Sequence, residues 1–165
     1  MQKDFATLLD AFRILRQRRA CRLVILGDGA LRGALEARAA QSGIKADVCF
    51  TGYVANPYAF MSRAAVFALS SRWEGSPNVL TEALALGTPS VATDCRSGPR
   101  EVLQNGRYGS LVAVGDAAAL ADAIERTLDA PLPADVLREA VADYTVGRSA
   151  MQYLRVLGLN GPVPN

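Results

Sequence analysis

Two carboxylates flank a helix start in one short stretch, Ser70-Ser71-Arg72-Trp73-Glu74-Gly75-Ser76-Pro77-Asn78-Val79-Leu80-Thr81-Glu82. Ser76 followed by Pro77 reads as a helix N-terminus, with serine as the cap and proline at the first helical position. The amides just inside, on Asn78 and Val79, then point out of the helix end with its dipole behind them, and Gly75 lets a ligand approach the backbone. Such an end binds anions. Glu82 falls about six residues further on, roughly 9 Å along the helix at ~1.5 Å per residue. Its neighbours Val79, Leu80, Ala83, Leu84 and Leu86 are apolar. A carboxylate set among apolar residues needs a hydrogen-bond partner, and the vicinal diol of a ribose offers two donors at a matching spacing. Glu74 stays in the loop on the other side of the helix start. The order carboxylate, anion site, carboxylate suits a sugar, a diphosphate and a ribose. An ordinary helix start with two surface glutamates accounts for the same residue types, so both readings stand at this point.

Other chemistries are excluded by composition. The 165 residues contain no histidine, which removes Ser-His-Asp triads, Cys-His dyads and His-ligated zinc. Cys21, Cys49 and Cys95 are scattered and form no C-x-x-C pair, so they read as reduced thiols of a cytosolic protein. Cys95, beside Arg96, has no local base and reads as unreactive. The net charge of +2 points to no nucleic-acid groove. Arg13, Arg16, Arg18 and Arg19 read as a solvated helix end. No apolar run approaches the ~18 residues that cross a bilayer, and Met1-Gln2-Lys3-Asp4 leads into an amphipathic pattern rather than a signal-peptide apolar region. The expected location is the cytoplasm, with peripheral contact at the inner membrane face left open.

These residues need a scaffold that brings loops together. Phe5, Leu8, Leu9, Phe12 and Leu15 predict an amphipathic helix over 4–18. Leu23-Val24-Ile25-Leu26, halted by Gly27-Asp28-Gly29, reads as a buried parallel strand. A helix through Leu31, Leu35 and Ala39 ends at Gly43. Strands follow at 48–50, 65–69, 89–93 and 111–113, separated by helices at 57–63, 79–86 and 99–104. Helices at 117–128, 134–143 and 148–157 complete the chain. Half the residues are hydrophobic and 21% charged, ample for one packed α/β domain over 1–165. The alternation predicts a parallel sheet with helices on both faces. Ligands bind such sheets outside the carboxyl ends of the strands, which places function at 27–30, 51–54, 70–78 and 94–99.

Glu74-Gly75-Ser76-Pro77-Asn78-Val79-Leu80-Thr81-Glu82-Ala83 resembles the E-G-x-P…E-A pattern of retaining glycosyltransferases of the GT-B fold, family 4, whose two glutamates are separated by seven residues. Several further motifs are similar, in the same order. They are Gln2-Lys3-Asp4-Phe5, Gly27-Asp28-Gly29, Phe50-Thr51-Gly52-Tyr53, Gly87 to Asp94, Ser97-Gly98-Pro99-Arg100-Glu101 and Gly106 to Val112. The resemblance covers residues 2 to about 128 and implies a Rossmann-like domain, the C-terminal half of a GT-B enzyme. It implies transfer of a sugar from a nucleotide-diphosphate sugar to an acceptor hydroxyl with retention of configuration. A UDP-sugar is the favoured donor, with GDP- and ADP-sugars as alternatives, and no metal is called for.

By the same resemblance Glu82 holds the ribose and Glu74 the donor sugar. The amides of Gly75, Ser76, Pro77-Asn78 and Val79 hold the distal phosphate. Lys3 stabilises charge on the leaving diphosphate. Gly52, Tyr53 and Val54 hold the base, and the loop of Gly27 and Gly29 lies near the phosphates. The family's initial strand, its arginine and its acceptor-binding N-terminal domain have no counterpart in these residues, so the expectation is weak nucleotide binding without transfer. Two alternatives are an epimerase acting on a free nucleotide sugar and a non-catalytic nucleotide-binding module. A dinucleotide role fits poorly: Gly27-x-Gly29-x-x-x-Gly33 is one residue off the fingerprint, and Thr51-Gly52 stands where its acid belongs. Trp73 reads as packing, while Tyr53 either packs or stacks on a base.

Overall fold

Helix α1 (Phe5–Arg18) forms because Leu8, Leu9, Ala11, Phe12 and Leu15 recur at helical spacing and are all buried. The structure, a computed structural model, describes residues 2–159. Asp4 caps α1 from the left-handed region, φ 43°, its carboxylate accepting the Thr7 N–H at 3.4 Å. The arginines at its far end are ion-paired: Arg16 with Asp47, Arg18 with Asp122 and Glu125, and Arg19 with Asp129.

Strand β1 (Leu23–Leu26) leads to α2 (Arg32–Gln41), then to β2 (Val48–Gly52). A one-turn α3 (Tyr58–Met61) precedes β3 (Phe67–Leu69), α4 (Asn78–Ala85), β4 (Ser90–Thr93) and α5 (Pro99–Val102). Strand β5 (Ser110–Val112) and helices α6 (Ala117–Asp129), α7 (Ala134–Glu139) and α8 (Val146–Val156) follow. The order matches the hydrophobic pattern. Differences lie at the ends: the short helices stop two to four residues early, and a 3-10 turn over Lys45–Asp47 leads into β2.

The expected parallel α/β arrangement is present, its strands forming two parallel ladders among the described residues. One pairs β1 with β2 from Leu23–Val48 to Leu26–Gly52, with a bulge between Ile25 and Leu26. The other runs β3-β4-β5, and every residue of the central β4 is buried. Among the described residues no ladder joins β1 to β3. Helix α1 joins them instead. Leu9 and Phe12 pack with Ile25, Leu35, Ala39 and Ile44, while Leu8, Ala11 and Leu15 pack with Val91, Val112, Leu120 and Ile124. A third cluster sets Leu80 and Leu84 of α4 against Ala92, Leu103, Tyr108 and Leu137. Helix α8 buries none of its residues and leaves Val146, Tyr153 and Val156 exposed. No helix among the described residues is long and apolar enough to cross a membrane.

Candidate functional site

The loops expected to carry function all leave the carboxyl ends of parallel strands, so β1, β2, β3 and β4 deliver them to one rim. The start of the chain is laced onto the loop after β3. The Arg72 N–H donates to Gln2 O at 2.7 Å, Ser70 Oγ to Lys3 O at 2.8 Å, and Gln2 Nε2 to Trp73 O at 3.2 Å. Arg72 also pairs with the buried Asp4 carboxylate at 3.1 Å. Lys3 is thereby fixed where its ammonium reaches Glu74.

Glu74 is the buried charge of this loop, only 8% exposed. Its Oε1 accepts from Lys3 Nζ at 2.7 Å and from the buried Ser71 hydroxyl at 2.6 Å. Burying a carboxylate demands such partners. Oε2 has no partner among the described residues and is not completely enclosed. Thr93 anchors the loop beneath by donating to Ser71 O and Leu69 O, and Ser97 Oγ donates to Glu74 O at 2.8 Å.

The helix start differs from the sequence expectation. Ser76 does not cap it: α4 begins at Asn78, with Pro77 in the cap position at φ −79°, ψ 74° and no side-chain cap bond. That is an inverse γ-turn, and it ties the Asn78 N–H to Ser76 O at 2.9 Å. Proline's restricted φ and missing N–H favour this turn over a serine cap. The Asn78 amide is therefore engaged, while the Val79 N–H has no acceptor among the described residues. Gly75, Ser76 and Asn78 are exposed and Pro77 is buried. Gly98, at φ +82°, closes against this turn, since a Cβ there would lie 2.6 Å from Pro77 Cδ.

Glu82 emerges on α4 away from buried Leu80, Ala83 and Leu84 and accepts from Tyr58 Oη at 3.3 Å. The carboxylate pushes the Tyr58 hydroxyl above its ordinary pKa, so it stays a donor. Tyr58 begins α3, just past the loop of Gly52, Tyr53 and Val54, so Glu82 is linked to that loop. The Gly27 N–H donates to Gly52 O at 2.8 Å, which joins the loops after β1 and β2, and Gly29 lies exposed beside them.

Sequence reasoning found Glu74 from its place before the helix start and Lys3 only through a resemblance; here they form one ion pair. It missed Ser71, Asp4 and Tyr58. A hydroxyl three residues before a glutamate was a readable signal for Ser71, but nothing local marks Tyr58. Trp73, expected to pack, is 51% exposed at the rim. Cys95 is buried, and burial followed by the nearby Glu74 charge pushes its thiol up, as expected of an unreactive group.

Residues 1–130 match the family model described as Glycosyl transferases group 1. The chain belongs to that family. Over 92% of its length it is 31% identical to a Campylobacter jejuni N-acetylgalactosamine-N,N'-diacetylbacillosaminyl-diphospho-undecaprenol 4-alpha-N-acetylgalactosaminyltransferase, covering 43% of that protein. It is 36% identical, over 76% of its length, to the Rhizobium meliloti lipopolysaccharide core biosynthesis glycosyltransferase LpsE, covering 36% of it. Among solved structures, the lipopolysaccharide outer core galactosyltransferase WaaB superposes with a TM-score of 0.83 at 23% identity, over 96% of this chain and 45% of that one. A Rickettsia africae glycosyltransferase gives 0.86 at 16% identity, over 98% and 46%. Both share the GT-B α/β architecture with this glycosyltransferase-family domain. The chain spans less than half the length of these relatives.

Proposed function

We propose that this domain binds the donor of a retaining glycosyltransferase, a nucleotide-diphosphate sugar, with a UDP-sugar favoured. The observation that carries the reading is the buried Glu74 carboxylate, its Oε1 held by Lys3 and Ser71 and its Oε2 without a partner among the described residues, beside a helix start with a free Val79 amide. Glu82 takes the ribose diol, and Gly75, Ser76 and Val79 meet the distal phosphate. The loop of Gly52, Tyr53 and Val54 takes the base, and the loop of Gly27 and Gly29 lies near the phosphates. Solved structures of the same fold whose descriptions name UDP support this choice of nucleotide.

In the reaction the bond from the sugar's anomeric carbon to the diphosphate oxygen breaks. A bond to the acceptor oxygen forms on the same face, and the acceptor's proton leaves with the nucleoside diphosphate. Lys3 offsets the negative charge that builds on the departing diphosphate, and Glu74 Oε2 accepts a hydroxyl of the donor sugar. The reading calls for no metal. The acceptor is held by a further N-terminal domain, and the 165-residue chain alone transfers nothing. The relatives' names support a role in cell-envelope glycolipid or polysaccharide synthesis, and the reading puts the domain in the cytoplasm with peripheral contact at the inner membrane face.

Thermal-shift titration with UDP, GDP and ADP tests the reading on the wild type and Glu82→Ala. Ligand at 100 times its dissociation constant stabilises the fold by about 2.7 kcal/mol, which raises the midpoint roughly 5–10 °C for a chain of this size. A shift with one base, lost in the variant, is expected. No shift at millimolar ligand removes the nucleotide site.

A further inference from the structure

We propose that Arg32 is a positioning residue that sets the loop of Gly52, Tyr53 and Val54 for recognition of a nucleotide base. The inference rests on the nucleotide reading above and adds a residue to it.

Arg32 is the first residue of α2, a helix with no acidic residue in its first turn. A cation there opposes the helix dipole, while pairs with Asp28 and Glu36, each four positions away, act the other way. All three guanidinium nitrogens are engaged. Nε meets Glu36 Oε1 at 2.8 Å, one turn along the helix. Nη2 donates to Phe50 O at 3.0 Å, within β2 and two residues before Gly52. Nη1 lies 3.5 Å from Asp28 Oδ2, and Asp28 Oδ1 in turn accepts the Gly29 N–H at 2.7 Å. One planar group therefore ties the loop after β1 to the end of β2.

The same nitrogen abuts the backbone at Gly52. A Cβ on Gly52 would stand 3.0 Å from Arg32 Nη1, and φ there is +70°. The guanidinium thus packs against the point where the chain turns out of β2 toward Tyr53, which is 85% exposed and free of other packing. A lysine cannot substitute, because a single ammonium lacks the fixed fork that serves Glu36, Phe50 O and Asp28 together.

Calorimetric titration of the 165-residue chain with UDP and, separately, with inorganic pyrophosphate tests this on the wild type, Arg32→Leu, Arg32→Lys and Gly52→Ala. All three variants are expected to weaken UDP about tenfold, the scale of one lost hydrogen bond to a charged group. Pyrophosphate affinity is expected to fall distinctly less, because Arg32 reaches the loop of Gly27 and Gly29 only through Asp28. Equal weakening of both ligands overturns the inference, since Arg32 would then touch phosphate or hold up the fold. Unchanged UDP affinity in Arg32→Leu overturns it as well. A wild type that binds pyrophosphate but not UDP overturns the nucleotide reading itself, and with it this role for Arg32.

Discussion

Lys3 Nζ and Glu74 Oε1 stand 2.7 Å apart across 71 positions of chain. The pair closes the seam between the start of α1 and the loop after β3, and it matches the one buried carboxylate of that loop with a partly exposed cation. Ser71 completes the arrangement from the buried side.

Ser71→Ala removes that hydroxyl and leaves Oε1 on Lys3 alone. The expected cost is about 1–3 kcal/mol, the penalty for an under-satisfied buried acceptor. Urea denaturation measures it. A variant within experimental error of wild type would mean that Lys3 alone satisfies Glu74.

Helix α4 offers a contrast within one element. Leu84 is completely buried, whereas Val79 is 38% exposed on the outer face. Leu84→Ala is expected to lose about 2–5 kcal/mol through the cavity it opens, and Val79→Ala to stay within about 0.5 kcal/mol. Both are read from chemical denaturation midpoints at constant slope.

Much of this framework was legible beforehand. Strands such as Leu23–Leu26 are unbroken apolar runs closed by glycines, and helices such as α1 carry their buried faces in plain period. The two glutamates and the helix start between them were equally visible. What escaped depended on distance or on turn geometry. Tyr58 reaches Glu82 across 24 positions, and Arg32 reaches Phe50 O across 18. Neither partnership leaves a mark in spacing. Ser76 and Pro77 looked like a cap and a first helical residue, yet proline's preference for an inverse γ-turn decided the conformation.

Gly98→Ala is expected to cost about 1–3 kcal/mol from the left-handed backbone alone, with the added collision against Pro77 Cδ. Pro77→Ala removes that atom. The double variant should therefore lose less stability than the two single losses combined, a coupling that a double-mutant cycle measures directly. Strict additivity would show that the two loops do not press on each other.

Cys95 carries a pH dependence of known sign. Its thiol is raised in the folded protein, first by burial and then by Glu74. Below the ordinary cysteine value of about 8.5 both folded and unfolded chains keep the proton. Above it the unfolded chain ionises first, so stability falls as the pH climbs toward the folded value. Cys95→Ser should flatten this alkaline decline in urea midpoints taken from pH 7 to 10. Thiol labelling of the folded wild type should reach the exposed Cys49 quickly and Cys95 only on unfolding.

Among the described residues the two ladders meet under α1 without a shared row of hydrogen bonds. Gly27, Gly29 and Gly52 ride on one ladder, Glu74 and Gly98 on the other. Their separation rests in part on side chains of α1, Leu9 and Phe12 facing one way and Leu8 and Leu15 the other, beside the Tyr58–Glu82 hydrogen bond. Hydrogen bonds fix a distance within tenths of an ångström, whereas packed side chains act like shims. Trimming or thickening Phe12 is thus a way to adjust the gap between the two halves of the rim without altering any residue on it.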